Sequence, residues 1–292
     1  MNGYVSGEDY ASQLGRAIIG LNLAFVYQQD PEWAVIQLFP KLHFSKVGKE
    51  AFLFWEPHAR YGKLSRDLIL VIAPIYREAF PFFHDVNSHL QTGFFGHIAC
   101  IVCSCLIEVD KGKWFRDFLT GLNEDEKASW ASEVERCLRG GSVAQRMQVW
   151  NLWMKTYWAD RVRGVPCPIQ SKEAEKMLEW SFVVGKAFPD AVDLVVRGPR
   201  IEQHLGFAFY KLEQHEAPEK HPEAVLRLLG WLLKDRPRQW MNSERVEPVL
   251  FRLPKRKAFL PLVNGICQQL ASLSYSGAPE LKRRIEQEFT ED

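Results

Sequence analysis

Residues 142–158, SVAQRMQVWNLWMKTYW, decide how this chain is read. Val143, Met147, Trp150, Met154 and Tyr157 fall at i, i+4, i+7, i+11 and i+14, the spacing that aligns one face of an α-helix, and Trp153 and Trp158 widen that face. Ser142 with Gln145 has the spacing of a capping box, so the helix starts there, just after Gly140-Gly141 has ended the run before it.

The same grammar extends in both directions. Upstream, Asn123 and Glu126 form a second capping-box pair ahead of Trp130, Val134 and Leu138 at four-residue steps. Asp30-Pro31-Glu32 supplies a cap, a proline at the first helical position and an acid in the first turn, followed by Trp33, Ile36, Leu38 and Phe39 until Pro40 limits the helix. Downstream, Ser171 is expected to cap a helix with Met177, Leu178 and Trp180 on its apolar side, and His221-Pro222-Glu223 to open one with Val225, Leu228, Leu229 and Leu232 buried. No segment alternates with a strand's period of two for long; the best strand candidate, Val192 to Val196, continues a helical pattern. The fold class expected is all-α, arranged as an irregular stack of helical hairpins, a HEAT-like α-solenoid. Glu78-Ala79-Phe80-Pro81 and Lys186-Ala187-Phe188-Pro189 echo each other, a match too short to establish a repeat. The polar stretch from Glu213 to Pro222 suggests a division into a repeat-like domain at 1–212 and a helical extension at 213–292 packed on it.

Composition bounds the function. Of 292 residues, 47% are hydrophobic and 13% aromatic, ample for a packed core. Lys+Arg 37 against Asp+Glu 36 leaves a net charge of +1, which excludes a polybasic role driven by a global field. The most apolar run, Phe94 to Val109, carries His97 and Ser104 and is short of the roughly 20 residues a spanning helix needs, so no membrane partner is expected. The N-terminus lacks a basic region followed by an apolar stretch, and six scattered cysteines do not make a disulfide scaffold; a reducing cytoplasm is the expected location.

Catalytic motifs are missing: GxGxxG, GxxxxGK[ST] and HExxH do not occur. His97, Cys100 and Cys103, with Cys105 beyond, cannot converge on one tetrahedral ion from a single helix, so core packing is expected for them and no metal or other cofactor is assigned. Asp190, Asp193 and Glu202 lie close in sequence without the lysine a nuclease site needs. The basic knot Lys255, Arg256 and Lys257, beside Arg252 and with Arg236, Arg238 and Trp240 nearby, is the one stretch suited to phosphate contact and base stacking.

A set of phrases carries a resemblance. Phe52-Leu53-Phe54-Trp55, Glu78-Ala79-Phe80-Pro81, Trp114-Phe115-Arg116-Asp117-Phe118-Leu119, the run from Tyr157 to Pro166, Met177-Leu178-Glu179-Trp180 and Ala187 to Val192 resemble an uncharacterised helical domain family over about residues 50–200. Its members typically form the C-terminal part of bacterial antiphage defence proteins with a sirtuin-like NAD-consuming module at the N-terminus. The most specific piece is Tyr-Trp-x-x-Arg-x-x-Gly-Val-Pro. This chain has no Gly-rich nucleotide loop and no identifiable catalytic His and Asn pair, and it begins within a helical pattern. The resemblance therefore implies a sensor, scaffold or regulatory half, without catalytic residues of its own, whose partner is a phage or host protein or a sirtuin-like effector subunit. It singles out Trp158, Arg161 and Arg163 as anchors for that partner, with nucleic acid the alternative partner through residues 236–257. Alanine at Arg161 and Arg163 is accordingly expected to impair binding and to leave the fold intact.

Overall fold

The rows of apolar residues at helical spacing become helices, and no strand occurs among the described residues. The structure, a computed structural model, describes residues 7, 9–83, 86–108, 113–201, 205–235 and 245–289. Two compact units divide the chain, Met1–Cys137 and Leu138–Asp292. The position expected for a boundary, after residue 212, lies within a helix, Leu205–Gln214, and part of the polar stretch beyond it is helical at Ala217–Lys220, where Pro218 sits at a permitted first-turn position.

The first unit carries α1 (Tyr10–Leu21), α2 (Leu23–Gln29), α3 (Phe52–Tyr61), α4 (Arg66–Ala79), α5 (Ser88–Cys103), α6 (Lys113–Gly121) and α7 (Glu124–Gly140, its last residues lying past the division). Short polar side chains set the starts. Asp9, Ser65 and Asn87 accept from the backbone N–H three residues on, and Asn123 and Glu126 cap α7 reciprocally at 2.8 and 3.0 Å, as the spacing predicts. Asp30 also caps as expected, taking the Trp33 N–H at 2.9 Å, but the helix it starts passes within a turn into a π turn (Ala34–Leu38) and then a 3₁₀ turn (Phe39–Leu42) that accommodates Pro40. The core is aromatic. Trp55 meets Tyr76 edge-to-face at 4.7 Å, Phe83 stacks on Phe94 at 3.9 Å, and the Trp55 indole donates to the Leu42 carbonyl at 2.9 Å. α3 is central, packing against both α1 and α5. Gly20 of α1 lies so close to α3 that a Cβ there would sit 2.3 Å from the Phe54 carbonyl oxygen.

The second unit carries α8 (Val143–Val149) and α9 (Lys155–Val162), joined by a π turn (Trp150–Met154), then α10 (Ser171–Ser181), α11 (Phe188–Arg197), α12 (Leu205–Gln214), α13 (Ala217–Lys220), α14 (Pro222–Leu233), α15 (Val246–Phe251), α16 (Leu260–Ser272) and α17 (Ala278–Glu288). Ser142 and Gln145 close the expected capping box. The buried face expected to begin at Val143 does not: Val143 is exposed, whereas Val149, Trp150, Trp153, Met154, Tyr157 and Trp158 are buried. Val143 is the first residue after the Ser142 cap, in the opening turn of α8, and the buried face begins only at Val149, ahead of the π turn. Ser171 is the first helical residue, not the cap; that place falls to Gln170, and the Ser171 hydroxyl donates to the Arg200 carbonyl. His221 stands at the N-cap of α14 with Pro222 next, as expected, although its ring makes no capping bond. Within this unit α11 packs on α14, α14 on α16 and α16 on α17. The echo between Phe80-Pro81 and Phe188-Pro189 is not a structural repeat, since the first pair follows the end of α4 and the second begins α11.

Candidate interaction surfaces

The Tyr-Trp-x-x-Arg-x-x-Gly-Val-Pro phrase closes on itself. Arg161, on the last turn of α9, is 0% exposed; its guanidinium donates to a Glu173 carboxylate oxygen from α10, to the Cys167 carbonyl and, at 3.1 Å, to the Cys167 sulfur. One side chain thus ties the Gly164–Cys167 turn and the start of α10 to α9. Burial alone would lower the pKa of Arg161, but Tyr157 and Glu173 hold it above its ordinary value, so the guanidinium stays charged. Trp158 is buried too, edge-on to Trp180 at 5.5 Å. The expectation that Trp158 and Arg161 stand on an open binding face is therefore corrected: the large ring fills the unit's interior, and the charge is paired inside it with Glu173, although Arg161 Nε and Glu173 Oε1 find no hydrogen-bond partner there. Arg163, two residues further round the helix, is solvent-exposed and pairs with Asp160.

The basic knot is interleaved with acids. Arg252 grips Glu219 through two bonds of 2.7 and 3.0 Å, Arg245 reaches Glu213 at 3.2 Å, and Arg284 reaches Glu247 at 2.7 Å. Lys255 is held by Glu288 at 3.1 Å and lies over the rings of Phe251 and Phe289 at 5.0 and 4.9 Å. Arg256 and Lys257 are exposed. Arg236, Arg238 and Trp240 fall outside the described residues. The carboxylates offset the charges of Arg245, Arg252, Lys255 and Arg284, which weakens their pull on a phosphate backbone. Of the carboxylates weighed for a nuclease, Asp190 pairs with Lys155 at 2.6 Å and Asp193 with Arg227 at 2.7 Å; Glu202 lies outside the described residues.

The His and Cys residues of α5 point in different directions. His97 bonds the Tyr76 hydroxyl at 2.6 Å and the Gly62 carbonyl at 3.1 Å, beside the fully buried His58 ring at 4.8 Å. Desolvation lowers the pKa of His97 to about 4, with the Arg136 charge acting the same way, and that of His58 well below its ordinary value, with His97 adding to the shift. No group of three or more His, Cys, Asp or Glu side chains suited to a metal occurs among the described residues, and no helix there is long and apolar enough to cross a membrane.

What the reading of periodicity missed is α1. Its buried side carries Ser12, Arg16, Ile19 and Gly20, while Tyr10 (80% exposed), Leu14 (49%), Ile18 (53%) and Leu21 face out, and Phe25 of α2 (60%) continues the row. The amphipathic helix is inverted. Arg16 is accommodated inside by donating to the Gly7 carbonyl at 2.6 Å, and Ser12 by bonding the Asp9 carboxylate at 2.8 Å. At the C-terminal end of the row, Leu21, Phe25, Gln28, Tyr61, Lys63 and Leu64 line an open groove of about 560 Å³. Tyr10, Leu14, Ile18, Leu21 and Phe25 have helical spacing in the sequence, but such a stripe is ordinarily the buried one. The signal that could have marked it is the competing stripe of small and polar residues on which Gly20 allows α3 to press.

These features define an all-α protein in which an internal ionic anchor organises the Trp-rich helices and one N-terminal helix keeps its apolar side open. The chain belongs to the DUF4020 family, described as a domain of unknown function, whose family pattern matches residues 100–262. That span takes in the resembling phrases from Trp114 to Val192 and runs on to Leu262, beyond the 50–200 core expected from the phrases alone. No curated protein and no solved structure matches the chain.

Proposed function

We propose that this protein is a non-catalytic interaction module that docks a protein partner through the apolar side of α1. The observation that carries this reading is the inverted helix: Tyr10, Leu14, Ile18 and Leu21 are exposed while Ser12 and Arg16 are buried, an arrangement that costs solvation unless something covers the row. An apolar helical ridge ending in a groove suits helix-against-helix recognition, with the aromatic rings of Tyr10 and Phe25 as anchors. The serial packing of α11, α14, α16 and α17 supports a HEAT-like stack of hairpins as the scaffold type.

The resemblance to the helical part of sirtuin-like defence proteins supplies the setting: a cytoplasmic antiphage system in bacteria, where the partner is a phage or host protein or a sirtuin-like effector subunit, and where any NAD consumption belongs to that partner. The test is capture of partners from phage-infected cells by the whole chain and by its Leu14→Glu/Ile18→Glu variant. A partner held by the wild type and released by the folded variant, with little dependence on salt, is the expected result. Retention by both overturns the assignment to α1. Binding that instead falls steeply with salt and is lost on neutralising Arg256 and Lys257 makes nucleic acid the ligand.

A further inference from the structure

Helices α5 and α7 meet at a pair of cysteines. There the sulfurs of Cys100 and Cys137 lie 3.2 Å apart, both as free thiols, with Cys100 on the protein's surface. Thirty-seven residues separate them in sequence, so the juxtaposition is a product of helix packing and not of a local motif. Gly96, one turn before Cys100, explains how the helices come so close: a Cβ at this position would sit 2.7 Å from Arg136 Nη2 and 2.9 Å from Glu133 Oε2. The Glu133–Arg136 pair, joined through Arg136 Nε at 2.7 Å, thus lies directly on α5 one turn away from the two thiols.

The two sulfurs are not equivalent. Cys100 has its pKa lowered to about 7, chiefly because the Cys137 thiol donates to it and further because of the Arg136 guanidinium; burial and the Glu133 carboxylate act the other way. Cys137 is pushed up by that same donation, by burial and by the adjoining sulfurs of Cys100 and Cys103, with Arg136 opposing. Cys103, one turn along α5, is raised well above its ordinary value by burial and by Cys100 and Cys105. Cys100, the more exposed of the two, is placed to meet a reagent from solvent first, with Cys137 behind it and the Arg136 guanidinium nearby.

We propose that Cys100 and Cys137 are a peroxide-reactive dithiol that closes into a disulfide tying α5 to α7. The Cys100 thiolate attacks one oxygen of a peroxide. The O–O bond breaks, hydroxide leaves and is protonated to water, and Cys100 becomes a sulfenic acid, its sulfur oxidised by two electrons. The Cys137 sulfur then attacks the Cys100 sulfur; the S–S bond forms, the S–O bond breaks, and the departing hydroxide takes the Cys137 proton as the second water. Two thiols and one hydrogen peroxide thus give one disulfide and two waters. Closing from 3.2 Å to a bond of about 2.05 Å asks for a side-chain rotation and a small approach of the helices, not a refolding.

The experiment uses the whole chain under native conditions with hydrogen peroxide as the probe, followed by alkylation of remaining thiols, proteolysis and peptide mass spectrometry. The expected product is a Cys100–Cys137 linked peptide, reversed by a thiol reductant. In the Cys137→Ser variant, Cys100 sulfenic acid accumulates and is trapped by a 1,3-dione. Without peroxide, iodoacetamide labels Cys100 at pH 7 at least about tenfold faster than Cys105, and Arg136→Gln slows that labelling several-fold. A link from Cys100 to Cys103, a link between chains, or Cys100 and Cys137 both remaining alkylatable in the peroxide-treated wild type overturns the proposal. So does a folded Cys137→Ser protein in which no sulfenic acid is trapped. The principal measurement is made on the wild type, so a variant that fails to fold does not remove the test.

Discussion

Helix α1 and the α8–α9 segment carry nearly the same apolar spacing and use it in opposite ways. In α8–α9 the large rings Trp150, Trp153, Tyr157 and Trp158 turn inward, and the one charge on that side, Arg161, is neutralised inside by Glu173. In α1 the apolar row Tyr10, Leu14, Ile18 and Leu21 turns outward and the polar side chains Ser12 and Arg16 are buried. Periodicity defines a stripe without saying which stripe is covered. In both segments a buried arginine is made tolerable by specific acceptors: a carboxylate and a carbonyl for Arg161, a carbonyl for Arg16.

If the inward segment is held as described, its largest vulnerability is the ionic anchor. Arg161→Ala leaves Glu173 buried without its cation and is expected to destabilise the second unit by about 3–5 kcal/mol in denaturant unfolding. Arg163→Ala, removing an exposed pair with Asp160, is expected to change stability by less than about 1 kcal/mol. This revises the expectation that both substitutions spare the fold. Equal, small effects would break the contrast between a buried and a surface role.

The first unit is expected to be sensitive to acid through its imidazoles. His97 has a folded pKa of about 4 against an ordinary value of 6.5, so between those values the unfolded chain takes up a proton that the folded protein refuses. Stability is therefore full above pH 6.5, falls as pH drops through the window, and levels off near pH 4 after a loss on the order of 3 kcal/mol. His58, buried beside it and shifted in the same direction, adds to the loss. Unfolding free energies measured across pH 4–7 for the wild type and for His97→Gln check this, the variant showing a flatter profile.

A smaller effect separates local from tertiary control of the inward segment. Ser142→Ala removes the side-chain acceptor of the Gln145 N–H and is expected to cost about 1 kcal/mol. Caps of this sort were the most legible part of the sequence: Asp30, Asn123 and Ser142 all cap as their spacing indicates, because the interaction is confined to four residues. The all-α class was legible for a related reason, since helical periodicity is local. The direction a helix faces is not local. Val143 has the spacing of an interior residue and is exposed because it sits in the opening turn of its helix, before the segment meets its neighbours, and the linker expected at 213–222 is largely helix. The candidate anchors fared by the same rule. Trp158 and Arg161 belong to a phrase whose spacing is distinctive, yet its distinctiveness comes from building an interior turn; the row of α1 has ordinary helical spacing, which does not say that it faces out.

The last prediction has the smallest effect on stability and bears most on function. Leu14→Glu/Ile18→Glu places two carboxylates on the open side of α1, where neither side chain contributes to the buried core. Unfolding free energy is expected to change by no more than about 1 kcal/mol in total, from surface substitutions of about 0.5 kcal/mol each. The control is Ile19→Glu, one residue further along the same helix and 8% exposed; it is expected to unfold the N-terminal region because it puts a charge against α3 without a partner. Partner capture by the first variant should fail while its circular dichroism matches the wild type. If instead the open-side variant is as destabilised as Ile19→Glu, the row is part of the protein's own interior in solution, and α1 ceases to differ from α8–α9 in the way that makes it a docking surface.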